Sequence, residues 1–225
     1  MIWREKFNTL YPFFKRIMDL EMVFLIVALL IVITIHEFSH AWVANFFGDP
    51  TAKLAGRVSL NPLKHLDPVG TIMLFIIHIG WGKPVPVNPR YFKNPKRDNA
   101  LTALAGPLSN LVLALILALP LKYLGPYLPS WLNLLLETVL DVSILLFAFN
   151  MLPFPPLDGS GIAGLFIPRK YELAYRRYLH SGMIYFVLFL LFDQFVLARA
   201  LGYSILSQFM GIIYTFIKSA IFLGT

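Results

Sequence analysis

The sequence predicts an all-α polytopic membrane protein with about five transmembrane helices and one shorter membrane-associated segment. Of its 225 residues, 58% are hydrophobic and 14% are charged, whereas soluble domains are about 45–50% apolar. The apolar residues fall into five long runs, and a helix that spans a bilayer needs about 20 such residues. We therefore expect a multi-pass protein of the cell (plasma or inner) membrane, with the lipid bilayer as a partner.

The first predicted span covers residues 20–47 and carries no charge from Met22 to Ile35. It ends at Gly48-Asp49-Pro50, a combination that stops a helix. Residues 1–19 precede this span and mix charged residues with aromatic and aliphatic ones, a pattern typical of an interfacial amphipathic helix. We interpret residues 1–19 as an interfacial N-terminal segment.

Residues 48–98 are predicted to form a long polar connection that meets the membrane once. Its apolar stretch, 69–81, is too short to cross a bilayer and is predicted to be re-entrant, interfacial or a β-hairpin. After this stretch in the chain, the alternating prolines of 83–88 favour an extended edge strand, because proline donates no hydrogen bond to a sheet.

Four further apolar runs, at about 99–121, 131–151, 179–200 and 202–223, complete the five predicted spans. The runs predict a membrane core of three spans at 20–165, followed by two additional transmembrane helices at 166–225.

The distribution of Lys and Arg predicts the orientation of the chain. If successive spans alternate in direction, thirteen of the 19 basic residues lie on the side of the 48–98 connection, with Lys218 among them, and six lie opposite. Cytoplasmic loops carry the excess of positive charge, so the 48–98 connection is predicted to face the cytoplasm. We interpret the formal charge of +7 in this way, and not as a sign of nucleic-acid binding.

The stretch His36-Glu37-Phe38-Ser39-His40 lies within the first span and has the pattern H-E-x-x-H. Residues four apart share one face of a helix, so His36 and His40 can direct two imidazole rings at one metal ion. Glu37 lies beside the first ring, where it could take a proton from a water molecule at the metal. Such polar groups are costly at membrane depth unless something coordinates them, which favours a metal site over a hydrogen-bonded histidine pair.

The chain has no cysteine, so any zinc site must use histidine and carboxylate ligands. A catalytic zinc typically has three protein ligands, and residue type alone leaves the third ligand open. The candidates are His65, Asp67, His78, Glu137, Asp141, Asp158, His180 and Asp193.

Three motifs occur in one order: the H-E-x-x-H stretch, Gly106-Pro107-Leu108-Ser109-Asn110 in the second span, and the proline-rich run from Asn150 to Gly159. In this they resemble the site-2 protease family of intramembrane zinc metalloproteases, in its short prokaryotic form without a PDZ insertion. The segment 80–88 is also similar to that family. The resemblance extends over about 25–165 and implies that the core at 20–165 is the catalytic part of the chain.

The resemblance implies a role for each matching residue. Zinc, one ion per chain, would be held by His36, His40 and Asp158, and Glu37 would act as the catalytic base. Asn150 is implied to bind the substrate backbone or the oxyanion, and Asn110 is also expected to contact substrate. If Asp158 is not the third ligand, His65 and Asp67 come next.

The expected reaction is hydrolysis of a peptide bond in or near a transmembrane segment of another membrane protein. Two other functions remain open at this point: a membrane metal or ion transporter, and a catalytically inactive scaffold. The adjacent Glu37 and the single site near one membrane face speak against transport, and the four filled catalytic positions speak against an inactive scaffold.

Overall fold

The computed structural model describes residues 20–77 and 82–222, with the side chains of residues 22–72 and 82–222. The predictions for residues 1–19 and for the end of the 69–81 stretch, which includes His78, lie outside the described residues. The helices, in chain order, are α1 (Leu20–Phe46), α2 (Thr51–Leu54), α3 (Pro68–Ile77), α4 (Pro95–Leu124), α5 (Ser130–Asn150), α6 (Asp158–Ala163), α7 (Glu172–Phe192), α8 (Ala198–Leu201) and α9 (Ile205–Phe222). A π-helical segment, Asp193–Leu197, joins α7 to α8.

Five helical segments are long and apolar enough to cross a membrane: Met22–Phe46, Pro95–Tyr127, Ser130–Asn150, Arg169–Leu201 and Ile205–Phe222. This confirms the predicted helical membrane architecture.

The helix ends follow from the residues found there. Gly48, with a φ of 102°, comes directly after α1 and its closing turn, and Pro95 occupies the first turn of α4, where a missing N–H costs nothing.

Helices α1, α4 and α5 form the centre of the bundle. Ala28 and Val32 of α1 are fully buried against Val139 of α5, and Ala114 of α4 is buried against Ile144 of α5. Such small side chains let helix backbones approach closely, which is the usual basis of helix association in membranes. The close approach of α1 and α4 also brings together the polar residues near their shared end.

The short apolar segment after α2 is helical where the structure describes it, because α3 covers Pro68–Ile77. The β-hairpin alternative is therefore wrong for this stretch, and a helical re-entrant or interfacial segment is the alternative that fits. Asp67 explains the helix start, since its Oδ1 accepts a hydrogen bond from the N–H of Gly70 at 2.8 Å.

The predicted edge strand at 83–88 is extended chain without a sheet. Over the described parts of the chain, pairing is limited to one isolated antiparallel bridge between Leu66 and Gly82. The edge-strand prediction is wrong in this respect because the described residues contain no neighbouring strand, and side chains bind the segment in place of a ladder. We call residues 82–88 the strap.

The last helix runs in the direction opposite to the one predicted. The ammonium group of Lys122, at the end of α4, donates to the carbonyl of Phe222, at the end of α9, at 3.1 Å. At the start of α9, Leu206 packs against the cluster of Leu152, Leu157 and Phe186, beyond the end of α5. Helix α9 is therefore parallel to α4, and placing Lys218 on the side of the 48–98 connection was wrong.

Asp193 explains how the chain enters α9. Its carboxylate accepts hydrogen bonds from the N–H of Ile205 at 2.8 Å and from the hydroxyl of Ser204. An acidic cap stabilises a helix N-terminus. Counting charges could not reveal this arrangement, because the turns around α8 and α9 carry too few basic residues to fix a direction.

We predict that residue 222 is accessible from the same side of the membrane as residue 122. Single cysteines at Lys93, Lys122 and Phe222, in a chain that has no other cysteine, can be labelled on intact cells with an impermeant maleimide. Residues 122 and 222 should both be labelled or both be protected, and residue 93 should show the other result. Labelling of residue 222 together with residue 93 would contradict the direction of α9.

Candidate active site

Helix α1 places His36 and His40 one turn apart, as the i, i+4 spacing predicts. Both residues are buried, with 6% and 7% of their surface exposed. Their rings meet edge to face with centroids 4.6 Å apart, and the two Nε2 atoms lie 3.0 Å from each other. Two nitrogen atoms therefore converge on one point inside a membrane helix.

Asp158 reaches the same point from the first residue of α6. Its Oδ2 lies 3.0 Å from Nε2 of His36 and 3.3 Å from Nε2 of His40. The neighbouring Gly159 makes this placement possible, because a Cβ atom there would lie 2.3 Å from the carbonyl oxygen of Leu152. Across the described residues, these three side chains form the one cluster of potential metal ligands.

The spacing of these atoms fits a tetrahedral zinc site. Ligand atoms at 2.0–2.1 Å from zinc in a tetrahedral arrangement are separated by about 3.3 Å, close to the 3.0–3.3 Å found here. Oδ2 of Asp158 is also buried without a hydrogen-bond partner. A buried carboxylate oxygen facing two ring nitrogens is the donor set that a divalent cation satisfies.

The outer nitrogen atoms of both rings are held by α4. Nδ1 of His40 donates to the carbonyl of Thr102 at 2.7 Å, which leaves its Nε2 free to bind metal. The side-chain amide of Asn110 lies 3.0 Å from Nδ1 of His36. When His36 binds metal through Nε2, its Nδ1 carries the proton, and the amide oxygen of Asn110 is the group that can accept it.

Asn110 is therefore placed behind a ligand and away from the expected substrate contact. It is fully buried and is not among the residues that line the cavity, so we propose that it orients the ring of His36, while its predicted contact with substrate stays a prediction. The sequence did not reveal this, because it does not show which face of α4 turns toward α1.

Gly106 is the point of closest approach between α4 and the two rings. A Cβ atom at this position would lie 2.3 Å from Nε2 of His40 and 2.7 Å from Cε1 of His36. Real Cβ contacts are never so short, so any side chain here would displace a ligand. The motif that begins at Gly106 thus has a steric reason to begin with glycine.

Glu37 faces a cavity of 540 Å³ that is also lined by the three ligands and by Asn150. Its carboxylate is 15% exposed, and Nη2 of Arg57 lies 3.9 Å from its Oε2. Burial lowers the pKa of Arg57 below its ordinary value, and the charge of Glu37 opposes that shift. Arginine nevertheless stays protonated, so a buried positive charge adjoins the predicted base.

Asn150 ends α5 at the wall of this cavity. One of its amide hydrogens is donated to the carbonyl of Leu146 at 3.1 Å, which leaves the second hydrogen available. Its position is compatible with a contact to substrate, and this role remains a prediction.

The other candidate ligands have different roles. His65 is fully buried and donates from Nε2 to the carbonyl of Ser59 at 2.7 Å, and Asp67 caps α3 beside the cavity. Asp141 accepts from Lys218 at 2.7 Å and from Tyr214 at 2.8 Å. Glu137 bonds Asn133 on an exposed surface.

Arg57 is the residue of this site that reasoning from the sequence missed. In the sequence it is simply one of the eight basic residues of the 48–98 connection. The available signal was its position after Gly56, whose φ of 66° turns the chain back toward α1.

Apolar helices around three potential metal ligands, with a carboxylate beside them, are the arrangement of a membrane protein suited to metal-dependent chemistry. The sequence comparisons identify the family. The model of peptidase family M50 matches residues 24–140, so the chain belongs to that family. The predicted resemblance to the site-2 proteases and the predicted peptidase class are confirmed.

The curated relatives bear names of the same kind. "Putative zinc metalloprotease YwhC" of Bacillus subtilis (strain 168) is 42% identical over 154 residues, which are 65% of this chain and 70% of the relative. "Putative zinc metalloprotease Rip2" of Mycolicibacterium smegmatis is 35% identical over 133 residues, 56% of this chain and 51% of the relative. No solved structure matches the chain.

We predict that Gly106→Ala weakens metal binding by about 10–100-fold, the loss typical of a disturbed ligand environment, because the new methyl group would collide with both rings. Metal content after dialysis of the purified protein against a graded chelator series measures the effect. Gly211→Ala is the matched control, since a Cβ at that helical glycine meets nothing within 4 Å. Equal metal retention by both variants would contradict the steric role of Gly106.

Proposed function

We propose that the protein is an intramembrane zinc metalloprotease that hydrolyses a peptide bond in or near a transmembrane segment of another membrane protein. The observation that carries this proposal is the convergence of His36, His40 and Asp158 beside Glu37 in one cavity of an apolar helix bundle. Membership of a peptidase family and the names of the relatives support it. The same cluster supports one zinc ion per chain.

Each residue of the site would then have a distinct role. His36, His40 and Asp158 would hold the zinc, which when bound polarises the scissile carbonyl and lowers the pKa of a water molecule toward about 7. Glu37 would take the proton of the attacking water and deliver it to the leaving amine. The free amide hydrogen of Asn150 would donate to the oxyanion that develops on the substrate.

The strap would hold the substrate in an extended conformation. Val85 and Val87 line the cavity, and the hydrogen bonds of the described residues leave their backbone N–H and C=O groups unpaired. A substrate strand can pair with such an edge. A helical substrate would first have to unwind, because its peptide groups are occupied by its own hydrogen bonds.

The active site is proposed to open toward the cytoplasm. Reversing α9 moves Lys218 to the opposite side and brings Arg199, six residues before the start of α9, to the side of the 48–98 connection, so thirteen basic residues still lie there against six and the excess of positive charge persists. His40 lies six residues before the end of α1, about 9 Å at 1.5 Å per residue, which supports a cavity near the membrane face of the 48–98 connection.

The proposed division of the chain retains a catalytic core at 20–165, with an interfacial segment at 1–19 and two additional helices at 166–225. Met183 of α7 lines the catalytic cavity. The first of the additional helices would therefore contribute to the site, whereas α9 would not.

Co-expression with a panel of tagged single-pass membrane proteins tests this function. The wild-type chain should release a fragment of at least one panel member, and the Glu37→Gln variant should release none. Zinc removal from the purified protein should stop cleavage, and zinc should restore it. Cleavage that survives complete chelation, or metal uptake into vesicles without cleavage, would overturn the proposal.

We predict that Glu37→Gln and Asp158→Ala fail in different ways. Glu37→Gln should retain zinc and lose cleavage by about 10²–10⁴-fold, because the amide cannot accept a proton at neutral pH. Asp158→Ala should lose zinc as well, since two histidines leave too few ligands. Zinc content and cleavage rate are measured after one dialysis protocol.

Glu137→Gln is the matched control for this pair, because Glu137 bonds only Asn133 on an exposed surface. It should keep both zinc and activity. Full zinc occupancy in Asp158→Ala would show that the third ligand lies elsewhere.

A further inference from the structure

Arg57 is a charged residue in a buried position, where an uncompensated charge is energetically unfavourable. Only 4% of its surface is exposed, and removing a guanidinium group from water costs several kcal/mol unless other groups compensate. The groups that compensate for this burial therefore indicate what the residue holds together.

Those groups belong to the strap and to the catalytic helix. Nη1 of Arg57 donates to the carbonyl of Pro84 at 3.0 Å, and Nη2 donates to the carbonyl of Lys83. Nη2 also lies 3.4 Å from Nδ1 of His65 and 3.9 Å from Oε2 of Glu37. One guanidinium group thus joins the predicted base to the segment that borders the cavity.

The rest of the strap is fixed independently. The N–H of Lys83 donates to the carbonyl of His65 at 2.8 Å, and the N–H of Asn88 donates to Oδ2 of the buried Asp49 at 2.6 Å. The peptide groups of Val85 and Val87, between these anchors, have no partner among the described residues. Arg57 is therefore the anchor at the end of the strap that lies beside Glu37.

We propose that Arg57 is a positioning residue, which fixes the distance and register between the strap and the carboxylate of Glu37. This inference rests on the proposed function, because the strap matters for catalysis only if it binds substrate. A shift of the strap would move the scissile carbonyl relative to the base, and a misplacement of about 1 Å can cost 10²-fold in rate.

Arginine suits this role better than lysine does. Its planar guanidinium carries five N–H donors in a rigid fork and can face two carbonyls and a carboxylate together. The ammonium group of lysine is a compact point charge on a flexible stem. Arg57→Lys therefore separates the geometry of the anchor from its charge.

The experiment compares Arg57→Gln, Arg57→Lys and the control Arg90→Gln. Arg90 is an exposed residue of the same connection, so its substitution removes an equal charge without the buried contacts. Zinc content, kcat and KM are measured for each full-length variant. A nitroxide on Pro86→Cys, in the exposed middle of the strap, reports strap mobility without any substrate.

Arg57→Gln should keep its zinc, increase the mobility of the nitroxide, and reduce kcat/KM by about 10–100-fold, with a loss in kcat as well as a rise in KM. Arg57→Lys should keep its zinc and part of the kcat, but its nitroxide should also be more mobile than in the wild type. Arg90→Gln should match the wild type in every measurement.

Two results would overturn the proposal: an unchanged nitroxide spectrum with unchanged kinetics in Arg57→Gln, or wild-type behaviour of Arg57→Lys in every measurement. If Arg57→Gln does not fold, Arg57→Lys decides the matter. A wild-type chain that cleaves no substrate would defeat the proposed function, while greater strap mobility in both Arg57 variants would still establish the anchor.

Discussion

The structure depends on three electron-donating atoms that converge at one point between α1, α4 and α6. Nε2 of His36, Nε2 of His40 and Oδ2 of Asp158 lie 3.0–3.3 Å apart, and their lone pairs repel one another unless a proton or a metal cation lies between them. A divalent metal would convert this repulsion into an attraction that joins α1 to α6. Glycines at 106 and 159 are required because the segments that carry and orient the ligands approach within the space of a single Cβ atom.

The depth of the metal site determines what surrounds it. A carboxylate and two imidazoles inside an apolar bundle need polar partners, which α4 supplies through Thr102 and Asn110. On the cavity side, the partners come from the 48–98 connection, which folds back over the end of α1 and buries Arg57 and His65 there. This connection therefore has two roles: it places a positive charge beside Glu37, and it brings to the cavity wall Val85 and Val87, whose peptide groups have no partner among the described residues.

Features that depend on local periodicity could be predicted from the sequence. Features that depend on which helix faces contact one another in the fold could not. His36 and His40 follow from residues four apart on a helix, and the long spans follow from their length and apolar composition. Asp158 could be chosen among eight candidates only through the family resemblance, because the prolines before it conceal where the chain turns. The contact of Asn110 with His36 and the burial of Arg57 could not be predicted for one reason: burial and partners depend on tertiary contacts that residue type does not encode. The predicted direction of α9 was wrong because the helix start is fixed by the cap from Asp193, and the few basic residues nearby do not reveal that contact.

The centre of the bundle packs differently from its periphery. Helices α1, α4 and α5 associate through buried residues in which alanines of α1 and α4 lie against larger side chains of α5, a mode of packing that fixes backbone distances closely. Over its described length, α9 has no fully buried residue. Partly buried apolar side chains, such as Ile217 and Ile221 against the α4–α5 cluster, attach it together with polar contacts, namely the cap from Asp193 and the cluster of Asp141, Tyr214 and Lys218. Metal geometry tolerates errors of only tenths of an ångström, which favours ligands on elements that meet through fully buried contacts.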